Sequence, residues 1–237
     1  MKIIGALCFL LIVPFCSYSQ DIKPIVIDTT SHWEKKNTFG FDLSEIAFVN
    51  WNAGGVSSVS GLAKAVFVRK YDNVNTKWYN ELIMRYGLNK QDGVEWRKTD
   101  DALQFNSTFG YRRDTLSNWY HSAKFNFNTQ FSNGYNYPNT DLAISKPFAP
   151  AYSFLGVGAE YSNKVKKVNV YLSPLTMKNT LVLDQRLADQ GAFGVDKAVY
   201  DPVTGEILRR GKMSRTELGI LITGHHRHEI FKNITLE

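Results

Sequence analysis

Long segments of this chain alternate between apolar and polar residues, and this alternation constrains the fold more than any other feature. Between residues 119 and 131, for example, Phe125 and Phe127 alternate with Asn126 and Asn128. Successive side chains of a β-strand point to opposite faces of the sheet, so the pattern predicts strands with one apolar and one polar face. The segments predicted as strands are residues 38–49, 57–71, 77–89, 101–111, 119–131, 151–161, 166–173 and 216–223, with a ninth that begins near residue 228 and continues to residue 237.

The residues between these segments favour turns. Gly, Asn, Asp and Pro adopt the backbone conformations that tight turns need. They cluster at Asn52–Gly55, Asp92–Gly93, Asn133–Gly134 and Pro202–Gly205. Residues 185–190 differ, because Leu187 and Ala188 within them and Gly191 after them predict a short helix. The sequence contains no internal repeat and no linker, so we expect one all-β domain.

The first 19 residues have the pattern of a secretory signal peptide. Lys2 precedes an apolar run from Ile3 to Phe15, and the small residues Ser17 and Ser19 follow it. This order of a positive charge, an apolar run and small residues is typical of a cleavable export signal. The run is shorter than the roughly 20 residues that a membrane-spanning helix needs.

We therefore predict a signal peptide at residues 1–19, a polar leader at 20–37 and the β-domain at 38–237. Both cysteines, Cys8 and Cys16, fall inside the predicted signal. The exported protein is then expected to have no disulfide bond. Two alternatives stay open for the N-terminus, namely a buried element of the fold and a lipoprotein anchored at Cys16.

The charge distribution bears on the class of partner. The formal net charge is +6, and the Lys and Arg residues are scattered along the chain. Nucleic-acid-binding proteins concentrate basic residues in a run or on one face. We therefore expect no nucleic-acid partner. A mildly basic surface suits contact with anionic lipid or lipopolysaccharide.

Two architectures fit strands that have one apolar and one polar face. In a soluble β-sandwich the apolar face packs on a second sheet, whereas in a membrane barrel it meets lipid. A membrane strand needs about 9–11 residues, more than the about 5–6 of an average globular strand, and several predicted strands are that long. Trp78, Trp119 and Tyr161 lie near strand ends, as in the aromatic girdles of such barrels. We predict an antiparallel transmembrane β-barrel and keep a soluble β-protein as the alternative.

The polar face of the predicted barrel carries the candidate site. Its side chains either line a conduit or form a hydrogen-bonded plug, and the sequence leaves both open. A barrel of roughly eight strands is filled by side chains, while one of roughly 16 leaves a channel, and we expect a number between these. The residues predicted to face the lumen are Glu81, Arg85, Gln104, Asn106, Thr108, Lys124, Asn126, Asn128 and Gln130.

A series of short motifs from about residue 33 onwards resembles a known family. The motifs, in order, are Trp51–Gly55, Trp78–Asn80, Lys98–Asp101, Asn126–Phe131 with Gly134–Tyr135, Ser145–Pro150, Ser173–Pro174 and Gly191–Gly194. Their residues and order resemble the domain-of-unknown-function 3078 family of outer-membrane β-barrel proteins from Bacteroidota. The resemblance implies an outer-membrane barrel and brings no substrate, cofactor or catalytic residue with it.

The C-terminus departs from what such a barrel should have. Bacterial barrels usually finish on a strand with a terminal aromatic residue, and their strand number is even. This sequence stops at Asn233–Glu237, within the ninth predicted strand. We therefore expect a truncated chain and an incomplete barrel.

Three groups of residues carry side chains that could support other chemistry. His225, His226 and His228 offer imidazoles for a divalent metal, but their spacing matches no closed zinc site, and we predict a polar loop. Asp100 and Asp101, with Glu95, lack the alternation of a calcium loop, so we predict a solvated strand entrance. Ser145 and Ser173 lack the Gly-x-Ser-x-Gly motif of a nucleophile elbow. His121, the candidate base, shares the parity of Ala123 and Phe125 and is expected to point toward lipid. We therefore predict no catalytic residue, no metal site and no cofactor.

The functional prediction follows from the architecture. We expect an outer-membrane, porin-like barrel that passes small polar or amphipathic solutes. The alternative is a structural or binding barrel whose loops hold a partner protein or lipopolysaccharide, and an outer-membrane enzyme is a third possibility. The expected partners are outer-membrane lipid, lipopolysaccharide and the barrel-assembly machinery.

Overall fold

The computed structural model describes residues 31–48, 55–163 and 165–226, and the backbone of residues 228–231 and 234–236. The predicted signal peptide, most of the predicted leader and most of the Trp51–Gly55 motif lie outside the described residues. The fold belongs to the unit His32–Glu237. Within the described part, no helix has the length and apolar character needed to cross a membrane.

The structure is almost entirely β. Long strands account for most of it, and within the described residues one connection holds one short α-helix and a 3₁₀ turn. In chain order the elements are β1 (Trp33–Ile46), β2 (Ser58–Asp72), β3 (Thr76–Gln91), β4 (Arg97–Tyr111), β5 (Trp119–Thr129), β6 (Ala151–Asn163), β7 (Val168–Leu181), α1 (Gln185–Asp189), the 3₁₀ turn Ala192–Gly194, β8 (Val199–Tyr200), β9 (Ile207–Arg209), β10 (Ser214–His226), β11 (His228–Phe231) and β12 (Ile234–Leu236).

The long strands form one antiparallel sheet in which each strand pairs with its neighbour along the chain. The order is β1-β2-β3-β4-β5-β6-β7-β10, and β8 and β9 form a small hairpin between the last two. The predicted all-β, antiparallel class is therefore confirmed. In the described residues β1 and β10 are the edges of the sheet and do not pair with each other. Over the part of the chain that the structure describes, the sheet does not close into a barrel.

The register gives the sheet one polar and one apolar face. Asn106 of β4 lies opposite Glu81 of β3 and Asn126 of β5. The neighbouring residue Phe105 lies opposite Leu82 and Phe127 on the other face. We call the side that carries Asn106 the polar face and the side that carries Phe105 the apolar face.

The two ends of the sheet differ in their connections. Short turns join β2 to β3, β4 to β5 and β6 to β7, and we call this the short-turn end. The opposite end carries the connections at residues 130–150 and 182–213, and we call it the long-connection end. A small buried hydrophobic core lies there, formed by Ala149, Val182, Leu187, Ala188 and Val195.

The short helix at the long-connection end has a local cause. The carboxylate of Asp184 accepts a hydrogen bond from the backbone N–H of Leu187 at 3.0 Å and so caps the first turn. Gly191 follows with φ of 71°, a left-handed conformation that suits glycine. The predicted helix at residues 185–190 is thus confirmed to within one residue.

Three predicted strands differ clearly from the structure. The first was predicted at residues 38–49, but β1 begins at Trp33, inside the predicted leader, and ends at Ile46. The seventh strand was expected to end at Ser173, but β7 continues to Leu181. It does so because Pro174, which has no N–H to donate, sits where the register shifts against both neighbouring strands. The single ninth strand is also wrong, because β11 and β12 pair with each other as a separate hairpin. The sequence between them contains Asn233, a residue type that tight hairpins favour.

Candidate functional site

The structure brings the predicted lumen-facing residues together on the polar face, with Gln130 as the exception. Glu81 and Arg85 are on β3, Gln104, Asn106 and Thr108 are on β4, and Lys124, Asn126 and Asn128 are on β5. Gln130 lies one residue beyond β5, and its amide donates to Ser132 O and Ser145 Oγ in the following connection. That this face borders a lumen stays a prediction.

Three of these residues form a hydrogen-bonded row across adjacent strands. The amide of Asn126 donates to Oδ1 of Asn106 at 2.7 Å, and the amide of Asn106 donates to Oε2 of Glu81 at 3.2 Å. Asn106 therefore accepts a hydrogen bond from Asn126 and donates one to Glu81. We call this row the amide ladder.

The predicted solvated strand entrance does not hold for Asp101, near the start of β4. The side chain of Asp101 is only 3% exposed and lies 2.7 Å from Nζ of Lys98. It also accepts hydrogen bonds from the backbone N–H groups of Phe131 and Ser132. The prediction that Asp101 is solvated is therefore wrong. Its carboxylate holds the start of the 130–150 connection. Asp100 forms an ion pair with Arg85 at 2.9 Å.

A second polar cluster on the same face was missed by the sequence analysis. Glu160 of β6 is 5% exposed, and its carboxylate lies 2.8 Å from Nζ of Lys77 on β3. The amide of Asn169 and the hydroxyl of Ser122 also donate to it. A buried carboxylate is stable only when paired and hydrogen-bonded, and Glu160 has both kinds of partner.

Glycines on the polar face leave room for side chains that cross the sheet. A Cβ atom on Gly110 of β4 would lie 2.8 Å from Cε of Lys77, so the lysine passes directly over this glycine. A Cβ atom on Gly156 of β6 would lie 2.9 Å from the hydroxyl of Tyr171. The fully buried ring of Tyr171 in turn lies 4.1 Å from Nζ of Lys124.

A cavity of about 800 Å³ opens at the short-turn end, around the Lys77–Glu160 pair. Thr108 and Lys124 are the predicted site residues that line it. The ring of Tyr120 lies between two cations, with Lys77 Nζ 4.0 Å and the Arg112 guanidinium 5.0 Å from its centroid. The charged lining residues are Lys70, Asp72, Lys77, Arg112, Lys124, Glu160 and Lys166.

The apolar face is exposed across the whole sheet. Phe39 on β1 is 72% exposed and Ile220 on β10 is 75% exposed, and large exposed apolar residues occur on most strands between them. At the short-turn end this face carries a row of aromatic rings. Trp33 lies 5.9 Å from Trp78, which lies 6.2 Å from Phe109, and further along the row Trp119 lies 5.3 Å from Tyr161. We call this row the aromatic belt.

The residues weighed for enzymatic chemistry are dispersed. Ser145 is in the connection at the long-connection end, whereas His121 is near the start of β5 at the short-turn end. Ser173 donates to the carbonyls of Val157 and Leu175. His121 shares the apolar face with its strand neighbour Ala123.

The histidine-rich segment is not the predicted loop tip. His225 and His226 belong to β10, where they lie opposite Asn169 and Val168 of β7. Adjacent residues of a strand point to opposite faces, so the two imidazoles do not converge. Within the residues whose side chains are described, no three His, Cys, Asp or Glu are grouped to hold a metal.

Comparisons with known proteins bear on part of the chain. No curated protein and no solved structure matches it. Residues 43–135, which run from the end of β1 through β5, match the family model described as Protein of unknown function (DUF3078), and this match supports a domain-of-unknown-function family for that part of the chain.

Proposed function

We propose that this chain forms the wall of an antiparallel β-barrel in the outer membrane of a Gram-negative bacterium of the Bacteroidota. The apolar face meets lipid, and the polar face borders a passage for small polar or amphipathic solutes. The observation that carries the proposal is the exposed, predominantly apolar face opposite a polar, hydrogen-bonded one. A polar row interrupts the apolar face next to the aromatic belt, formed by Lys35, Arg69, Asn80 and Ser107. The protein reaches this membrane through its N-terminal signal and the barrel-assembly machinery.

The exposed apolar face supports lipid as its surroundings. Soluble monomers rarely expose contiguous apolar patches beyond a few hundred Å². Here exposed Phe, Leu and Ile side chains extend from Phe39 to Ile220 across the sheet. The aromatic belt at one end matches the rings that membrane barrels place at the level of the lipid headgroups.

The lengths of strands and connections support the same conclusion. The strands of the main sheet have 11 to 16 residues, which is enough for a tilted crossing of the bilayer. Outer-membrane barrels have short periplasmic turns and longer extracellular loops. The short-turn end then faces the periplasm, and the connections at residues 130–150 and 182–213 face outwards.

Unpaired edges are not tolerated in hydrocarbon, because backbone N–H and C=O groups there find no water. We therefore propose that β1 and β10 are paired in the membrane, either with each other or with further strands. Eight strands are the smallest number known for such barrels, at about the size where side chains fill the interior. Additional strands widen the interior and favour solute passage.

A specific observation also favours a second function, a structural or binding barrel. The amide ladder and the Lys77–Glu160 pair fill polar surface with internal bonds, as a plug does. The connections at the long-connection end pack on one another through the ion pair of Lys146 and Asp184 at 2.6 Å. Under this alternative the loops hold a partner protein or lipopolysaccharide, and the interior is sealed.

The two functions are separated in two steps. Cells that express the full chain are fractionated, and the outer-membrane fraction is run on gels with and without boiling. A membrane barrel migrates differently when unfolded, so heat-modifiable migration in this fraction supports the location. Recovery as a soluble periplasmic protein overturns it.

The purified protein is then reconstituted into planar bilayers. Single-channel conductance, with uptake of uncharged sugars into vesicles, supports passage of solute. A folded outer-membrane protein that gives neither conductance nor uptake supports the structural barrel instead. Vesicles that contain the heat-denatured protein serve as the control for leakage.

A further inference from the structure

We propose that the cavity at the short-turn end binds solutes that carry an oxyanion group, either a carboxylate or a phosphate monoester. This inference rests on the proposed function and names the solute class that the polar face recognises. The cavity is lined by five cationic side chains and two carboxylates, so positive charge is in excess at this place.

Two of the five cations are engaged with acidic partners. Lys77 is paired with Glu160 at 2.8 Å, and Lys70 lies 3.4 Å from Glu34. Within the described part of the chain, Arg112, Lys124 and Lys166 form no ion pair. With Asp72 also at the cavity, the five cations face three carboxylates, so two positive charges remain in excess. An anionic solute supplies the missing charge.

The protein holds two of these cations in place before any solute arrives. The guanidinium of Arg112 donates to the carbonyl oxygens of Val74 and Ser117 at 2.7–3.0 Å, which fixes it at the rim. The ammonium of Lys124 is half-buried and rests on the ring of Tyr171. Cations that are ordered in advance lose little entropy on binding, so they favour affinity.

The size and the aromatic content of the cavity limit the solute further. Its volume of about 800 Å³ falls among pockets that hold organic molecules and is far larger than an inorganic ion needs. Tyr79 and Tyr120 line it beside the cations. A flat ring at this position suits the apolar face of a sugar or of another small ring. The expected solute is thus an acidic or phosphorylated molecule of about monosaccharide size.

Calorimetric titration of the full chain in neutral detergent provides the test, with glucose 6-phosphate as the probe. Glucose is the control without a charge. In a parallel titration, micelles that contain phosphatidylglycerol offer the same phosphate chemistry on a lipid headgroup. We expect glucose 6-phosphate to bind and glucose not to bind. If only phosphatidylglycerol gives heat, the cavity binds a lipid headgroup and not a free solute, and the proposal is overturned.

The variants that test the cations are Lys124→Gln and Lys166→Gln. Each removes one charge-assisted contact, so we expect affinity for glucose 6-phosphate to fall about tenfold. The matched control is Lys64→Gln, which removes a lysine from the same face outside the cavity. Lys124→Arg keeps the charge and should retain most of the affinity. Equal affinity in the wild type, Lys124→Gln and Lys166→Gln would contradict the proposal.

A second measurement separates failure of this inference from failure of the proposed function. In planar bilayers under a KCl gradient, the sign of the reversal potential reports which ion passes more easily. Anion preference that weakens in Lys124→Gln agrees with the inference. Conductance without anion preference, together with no calorimetric heat, rejects the inference but leaves the channel intact. If the protein gives no conductance, the channel function is rejected. If glucose 6-phosphate still binds in the calorimeter, the protein is a binding barrel.

Discussion

Nζ of Lys77 lies 2.8 Å from Oε1 of Glu160, although β4 and β5 separate their two strands in the sheet. Strands lie about 4.8 Å apart, so a flat sheet would hold these backbones about 14 Å from each other. The lysine reaches across because Gly110 leaves space above β4. The pair therefore ties β3 to β6 across the polar face, and the cavity opens around it.

Removing the carboxylate of this pair should destabilise the fold. We expect Glu160→Gln to lower the free energy of unfolding by about 2–3 kcal/mol, somewhat below the about 3–5 kcal/mol for a fully buried pair, because Lys77 is partly exposed. Urea unfolding of the protein in lipid vesicles measures the change. The double variant Lys77→Met/Glu160→Gln leaves no unpaired charge and should recover part of the loss. A double variant less stable than Glu160→Gln would speak against the pair.

Lipid contact on the apolar face can be tested at Phe39, which is near the middle of β1 and largely exposed. In water, replacing an exposed residue usually changes stability by less than about 0.5 kcal/mol. In lipid, an arginine near the midplane costs about 2–4 kcal/mol. We expect the larger cost for Phe39→Arg, measured by unfolding from vesicles.

Two controls accompany this substitution. Phe39→Ala removes the contact with Phe67, whose ring lies 5.5 Å away, without adding a charge. Thr38→Arg adds the same charge to the polar face on the neighbouring residue. The prediction fails when Phe39→Arg is no more costly than both controls.

The amide ladder gives different outcomes for a conduit and for a plug. Asn126→Leu removes the donor to Asn106 and should cost about 1–2 kcal/mol, because a part-buried acceptor loses its partner. If the ladder borders a passage, we also expect single-channel conductance to fall. Phe125→Leu, on the apolar face of the same strand, is the control and should leave conductance unchanged. Loss of stability with no conductance in either protein indicates a plug.

The strands of the sheet were largely predictable from the sequence, and residues such as Asn106 and Asn126 show why. The pleat repeats every two residues, so alternation in the sequence maps directly onto the two faces. Adjacent strands joined by short turns then pair in order. The polar face followed from this period alone.

The cluster around Glu160 was not predictable in the same way. Glu160 comes two residues after Gly158 and four after Gly156, so the period of two could have predicted that it lies on the polar face. Its partner Lys77 is 83 residues away along the chain and three strands away in the sheet. Period and spacing carry no information on such a contact, because it depends on how the whole sheet curves.

The packing of the 182–213 connection should depend on acidity through Asp184. A hydrogen bond from the Lys146 ammonium, with a second from the N–H of Leu187, holds the pKa of Asp184 below its ordinary value of 3.8. Because the folded-state pKa is lowered, the stabilisation is complete above this value and is lost as the pH falls through the lowered pKa. We expect proteolysis within residues 182–213, by a protease active in acid, to accelerate only below about pH 4.

The substitution Asp184→Asn separates the ion pair with Lys146 from the N-cap of the helix. Asparagine keeps an oxygen that accepts from Leu187, so the helix N-cap survives, while the ion pair with Lys146 is lost. We expect a loss of about 1 kcal/mol at neutral pH, since the pair is only partly buried, and a flatter dependence of proteolysis on pH. Asp184→Ala removes the cap as well and should cost about 1 kcal/mol more. The same acid dependence in Asp184→Asn as in the wild type would assign the effect to another group.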